Sequence, residues 1–253
     1  MKRHAFVLLT AVIAAGLLSP AQAGSGTRYT QPVFKAWDEP KLDIVIVPPG
    51  HGQVYNGNGP LAGGDLRELG PANSYVRATE HSIADWQRMI RNRGPRYMHK
   101  VTFKTHVVGR DTIPEKVLNN ADAVIMFNEH QTFILGVTFS TSDPDCLISN
   151  SLFFTASFTY TDMYSVNAHE FGHCLGLEHF EGPSKSKIYL HDLMTPSYVH
   201  DIGDPKVHPH CISNLNLKGV VTAFKPAFGK KQGSLEIKGT GASYSQYRCK
   251  VKG

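Results

Sequence analysis

The chain has 253 residues, 41% hydrophobic and 19% charged, with 26 Lys and Arg against 21 Asp and Glu. That balance is only mildly positive and does not form the basic stripe of a nucleic-acid-binding protein. Beyond the N-terminus no apolar stretch is long enough to span a membrane, so a soluble, exported protein is expected.

Lys2, Arg3 and His4 open the chain, an apolar run from Ala5 to Leu18 follows, and Ala21-Gln22-Ala23 closes the segment. A basic start, a short apolar middle and a small-x-small end are the parts of a secretory signal peptide, here cleaved after Ala23. Without residues 1–23 the balance is 24 basic against 21 acidic residues. The four cysteines, Cys146, Cys174, Cys211 and Cys249, then suit two disulfides in an oxidising compartment, with three connectivities open.

Residues 24–41 are polar and rich in Gly, Pro and Thr, and are expected to wrap the surface. Leu42–Pro49 is a β-branched run closed by prolines, which predicts a buried strand. A glycine-rich loop of about twenty residues follows, a length expected of a functional or mobile loop. From Ala72 to Arg93, Tyr75, Val76, Ala78, Ile83, Trp86, Met89 and Ile90 recur at helical spacing. Strands are predicted at Lys100–Gly109, Ala121–His130, Thr132–Ser140 and Asn150–Phe158, with Ser142–Cys146 as a turn. The order predicts a mixed α/β sheet. A last helix is expected over Ser213–Phe224, capped by Ser213 and stopped before Pro226. The basic tail 229–253 is expected to end in a short strand near Tyr247–Val251.

The stretch Asn167–Gly182 concentrates titratable groups. A helix is predicted over about Tyr164–Gly176, and Gly176 is suited to end it. His169 and His173 are four apart, about 40° around the helix axis, so their imidazoles can meet at one ion. The chain turns at Gly176 and brings His179 back. Three neutral imidazoles leave one tetrahedral position for water, the pattern of catalytic rather than structural zinc. Glu170, beside one ligand, can reach that water as a general base. An amphipathic helix with chance histidines is the alternative for the short pattern, and Gly176 with His179 argues against it.

His169, Glu170, His173, Gly176 and His179 resemble the signature of the metzincin clan of zinc peptidases, which a methionine turn follows. Met194 stands fifteen residues after His179 and fits that turn. The resemblance implies an α+β fold: a mixed twisted sheet with an antiparallel edge strand, a long helix, the zinc helix and a small C-terminal subdomain ending in a helix. It implies one Zn²⁺, and an extended polypeptide substrate pairing with an edge strand at Thr132–Ser140. Pro196 and Tyr198, two and four residues after Met194, are similar to matrixin-like or bacterial minimal forms. Phe180, after the third histidine, departs from the well-known subfamilies. Tyr198 is a candidate transition-state or pocket residue, with a packing role as the alternative.

The expected catalytic domain is 42–228, in a monomer. Cys174 points about 100° away from His173 on a helix, which favours a core or disulfide role over zinc ligation. Cys211, just before the last helix, is its preferred partner, leaving Cys146 for Cys249. His200, His208 and His210 read as loop histidines. Asp143, Asp145 and the Asn56–Asp65 loop lack a complete calcium-ligand pattern, so Ca²⁺ has no supported site. The expected activity is that of a secreted zinc endopeptidase. An exported zinc hydrolase of a non-peptide, cell-envelope amide and a non-catalytic binding domain are its rivals.

Overall fold

A computed structural model describes residues 29–48, 70–128, 136–140, 144–151, 160–183, 186, 189, 192–196 and 211–240. The elements are β1 (Tyr29–Pro32), β2 (Lys41–Val47), α1 (Gly70–Arg93), β3 (Thr102–Val107), α2 (Glu115–Asn119), β4 (Ala123–Asn128), β5 (Gly136–Ser140), β6 (Cys146–Ser151), α3 (Tyr160–Cys174), α4 (Asn214–Phe224) and β7 (Glu236–Gly239). Two 3-10 turns, Arg96–Lys100 and Pro226–Phe228, follow α1 and α4.

Five strands form a mixed sheet in the order β3-β2-β4-β6-β5. The first four run parallel, and β5 lies antiparallel to β6 at the edge. This is the expected mixed sheet with an antiparallel edge strand. Successive strand residues face opposite sides, and the two faces of β2 serve two cores. Ile44 and Ile46 join the main core with Trp86, Ile90, Ile125 and Phe171. Val45 and Val47 join Val108, Ala121 and Val124 in a smaller core beneath α2, against which Val117 packs. Burial on both faces explains why β2 and β4 read as continuous apolar runs. α1 and α3 pack together on the main face, where the Trp86 indole N–H donates to the Ala168 carbonyl at 2.9 Å.

Several expectations are corrected. Residues 29–37 do not merely wrap the surface: Tyr29, Gln31, Val33 and Trp37 are buried. β1 pairs antiparallel with β7, from Tyr29 opposite Gly239 to Pro32 opposite Glu236. The structural unit therefore extends past both ends of 42–228. β6 begins at Cys146, inside the predicted turn, because Cys146, Ile148 and Asn150 alternate into the interior. The predicted helix at Tyr164–Gly176 begins earlier, at Tyr160, and its last helical residue is Cys174. Ser213 caps α4 as expected, its hydroxyl accepting from the Asn216 N–H while the Asn216 side chain accepts from the Ser213 N–H.

The signal peptide, the glycine-rich loop with Asn56–Asp65, residues 132–135 of the predicted edge strand, residues 152–158 and the strand at 247–251 lie outside the described residues. Among the described residues, no helix is long and apolar enough to cross a membrane.

Candidate zinc centre

The site begins with how α3 stops. Gly176 adopts φ 99°, a left-handed conformation that glycine adopts without a Cβ penalty. The Leu177 N–H reaches back to the Gly172 carbonyl at 3.1 Å and the Gly176 N–H to that of His173 at 2.8 Å, a Schellman ending. A Cβ on Gly176 would also lie 2.9 Å from the Lys35 carbonyl oxygen. The chain thus turns sharply, and residues 177–181 run back beside β1. There the Phe34 N–H bonds the Gly176 carbonyl, the Glu178 N–H that of Pro32, and Thr30 and Glu181 bond each other in both directions. The loop carrying His179 is therefore strapped by a strand more than a hundred residues earlier.

The ligand atoms of His169, His173 and His179 all lie within 4.8 Å of one another. His169 Nδ1 is 2.6 Å from the Leu193 carbonyl oxygen, and His173 Nδ1 is 2.6 Å from that of Leu177. A carbonyl only accepts, so each Nδ1 must carry a proton, and in the neutral imidazole each Nε2 is then a bare lone pair. Those two Nε2 atoms stand 3.1 Å apart. Two lone pairs cannot bond each other, but a cation can join them. Metal–nitrogen bonds of 2.0–2.1 Å at a tetrahedral angle put ligand nitrogens about 3.3 Å apart. The residues present fit a zinc ion. Burial pushes the His169 pKa down to about 4 and that of His173 to about 3, and lowers that of His179. All three are thus neutral at neutral pH, as ligands must be.

Glu170 is buried on the flank of α3 that faces β5. Burial raises its pKa, opposed by His173 and by the Thr138 hydroxyl. Thr138 Oγ1 lies 2.6 Å from Glu170 Oε2.

Met194 is fully buried against α3, where a Cβ on Gly172 would collide with its sulfur. Its carbonyl accepts from the Phe180 N–H, next to His179, at 2.6 Å. Its N–H donates to Asp192 Oδ1 at 2.9 Å. Asp192 is fully buried and also accepts from Asn216 Nδ2 at 2.9 Å. Asn216 in turn donates to Gln31 Oε1 at 2.7 Å, and Gln31 Nε2 donates to the Glu178 carbonyl at 2.8 Å. This buried chain runs from β1 through α4 to the Met194 turn and ends beside His179. Gln31, Asn216 and Asp192 escaped sequence reasoning, since polar residues far apart in the chain carry no local pattern.

Cys174 is bridged to Cys146, with Cα atoms 5.5 Å apart, so the expected pairing with Cys211 is corrected, and Cys146 with Cys249 falls with it. Placing β6 from Cys146 onward brings that sulfur under the end of α3, a proximity hidden when the residue is read as turn. Cys211 is itself disulfide-bonded. Glu178 and Glu181 are exposed, and Phe180 is buried, stacked on Tyr29 at 5.7 Å between ring centroids. Tyr198, His200, His208, His210, Asp143 and Cys249 lie outside the described residues.

No curated protein matches the chain. Among solved structures, the GM1-bound form of the ECX AB5 holotoxin is similar at 10% identity and a TM-score of 0.40, covering 81% of this chain and 91% of that one. The matrixin (peptidase M10) family profile matches residues 94–208, which span the histidine cluster and Met194. That match and the site it encloses support a matrixin-like metallopeptidase of the metzincin clan over those residues.

Proposed function

We propose that the chain is a secreted zinc-dependent endopeptidase in which His169, His173 and His179 hold the ion and Glu170 is the general base. The observation that carries this reading is the pair of bare Nε2 atoms 3.1 Å apart, with His179 beside them and Glu170 between the two helical ligands in sequence. Zinc bound there supplies a Lewis acid for the scissile carbonyl and brings the pKa of a water molecule towards about 7. The Glu170 carboxylate takes the proton of the attacking water and passes it to the departing amine. The Nδ1–H bonds to Leu193 and Leu177 fix the tautomer and aim of two ligands.

β5 stands at the end of the sheet and is packed against Glu170, so its outer edge can add an extended peptide as one more strand. That edge favours a polypeptide over a compact non-peptide amide, and Glu170 favours catalysis over binding alone. Export after cleavage at Ala23 accords with the disulfides.

Proteomic cleavage profiling of the zinc-loaded protein, with Glu170→Ala as control, tests the reading. The variant should retain zinc and lose cleavage. Equal cleavage by both proteins overturns the role of Glu170, and metal analysis without bound zinc overturns the site.

A further inference from the structure

The edge strand does more than border the site. Gly136 and Thr138 are two residues apart on β5 and so face the same way, towards α3. A Cβ on Gly136 would lie 2.8 Å from Glu170 Cγ, 2.9 Å from Glu170 Oε1 and 2.9 Å from a Val166 methyl carbon. Only a glycine lets the strand approach that closely. Two residues on, Thr138 Oγ1 sits 2.6 Å from Glu170 Oε2 and 3.0 Å from the backbone carbonyl oxygen of the same residue. The carboxylate is thus blocked by backbone at one point and held by a hydroxyl at the next.

A threonine hydroxyl has one proton and two lone pairs, so it donates to one of these two oxygens at a time. We propose that Thr138 is a positioning residue for Glu170, keeping the carboxyl group hydrogen-bonded in both its anionic and its protonated form through the reaction. This rests on the reading of Glu170 as the general base. In the anionic form Thr138 donates to Oε2, and 2.6 Å is within the range of about 2.5–2.7 Å for such charge-assisted bonds. If Oε2 takes the proton from the attacking water, it donates to Thr138 Oγ1, whose own proton turns to the Glu170 carbonyl. If Oε1 takes it, Oε2 stays an acceptor and Thr138 does not move. In neither case is a buried polar group stranded, so the base gains and loses its proton without losing its place. Because β5 is also the strand proposed to align the substrate, base and scissile bond are referred to one rigid element.

The comparison is made on the zinc-loaded full chain with a peptide identified by cleavage profiling. Thr138→Val removes the hydroxyl and keeps the side-chain shape, whereas Thr138→Ser keeps the hydroxyl. T138V is expected to lower kcat on the order of 10–100-fold with KM within about twofold of wild type. Zinc content should be unchanged, any fall in melting temperature should stay within a few degrees, and T138S should recover most of the loss in kcat. In a Glu170→Gln background, T138V should cost nothing further, because the two residues act as one unit. If T138V does not fold, Thr138→Ala makes the same comparison. Wild-type kcat in the hydroxyl-free variant overturns the proposal. So does an equal loss in the E170Q background, or a loss that follows zinc content or melting. E170Q cleaving as fast as wild type instead overturns the role of Glu170, a failure distinguishable from the first.

Discussion

Asp192→Asn isolates what a buried carboxyl contributes beneath the candidate zinc centre. Burial raises the Asp192 pKa from 3.8 to about 7, against the opposing pull of Ser213, the Met194 N–H and Asn216. Between those two values the folded protein keeps a proton that the unfolded chain releases. The stability this provides is fully present below pH 3.8 and is lost as pH rises through about 7. The full swing is about 4 kcal/mol, at ~1.36 kcal/mol for each tenfold change in proton concentration. Asparagine stands in for the protonated acid. Its oxygen can accept from Met194 and Asn216, and its amide can face the Ser213 hydroxyl. Urea denaturation of both proteins in the same zinc-loaded state, at pH 5 and pH 8, should show the stability of D192N relative to wild type rising by about 2–3 kcal/mol. Ligand histidines titrate in both proteins and cancel in the difference. A difference that is the same at both pH values, or that falls as pH rises, refutes a carboxyl held protonated in the fold.

Gly176→Ala places a Cβ at φ 99° and 2.9 Å from the Lys35 carbonyl oxygen, so a loss of about 1–3 kcal/mol is expected by thermal denaturation, with weaker zinc retention because the turn delivers His179. Replacing both Cys146 and Cys174 by serine opens a link between residues 28 apart in sequence, for which loop entropy predicts a loss of about 3–4 kcal/mol in urea. Gln31→Ala removes the donor to the Glu178 carbonyl and the acceptor for the Asn216 amide, so titration with a competing chelator should find zinc affinity lowered on the order of 10-fold, with kcat at saturating zinc close to wild type.

The histidine cluster of the candidate site was legible because its determinants are local. Four-residue spacing fixes His169 and His173 on one helix face, and the helix ends at a glycine whose conformation turns His179 back. The central strands were legible for a similar reason, since burial on both faces leaves an unbroken apolar run. The misses are non-local. β1 and β7 are four-residue strands with polar members, and what makes them strands is each other, more than two hundred residues apart. Cys146 read as part of a turn because Asp and Pro precede it. Its place in β6 comes from parallel pairing with β4, where it stands opposite Ala123. Once that register was lost, the disulfide partner of Cys174 was lost with it.

The division between local and distant determinants has a physical basis at the candidate metal centre. Two histidines on one helix are positioned by the helix itself, and their spacing survives wherever α3 is folded. The third sits after a turn, and a turn alone leaves an exposed loop free to swing. Here the loop is closed by backbone bonds to β1, by Phe180 stacked on Tyr29, and by the Met194 carbonyl on the Phe180 N–H. Each lies within two residues of His179, and none belongs to the ligand motif. The motif therefore specifies which atoms can meet an ion, while β1, the Asp192 turn and α4 determine how firmly the third is held. Weakening that frame is expected to loosen zinc before it slows the reaction of the protein that still holds it, because Glu170 is anchored separately, by β5.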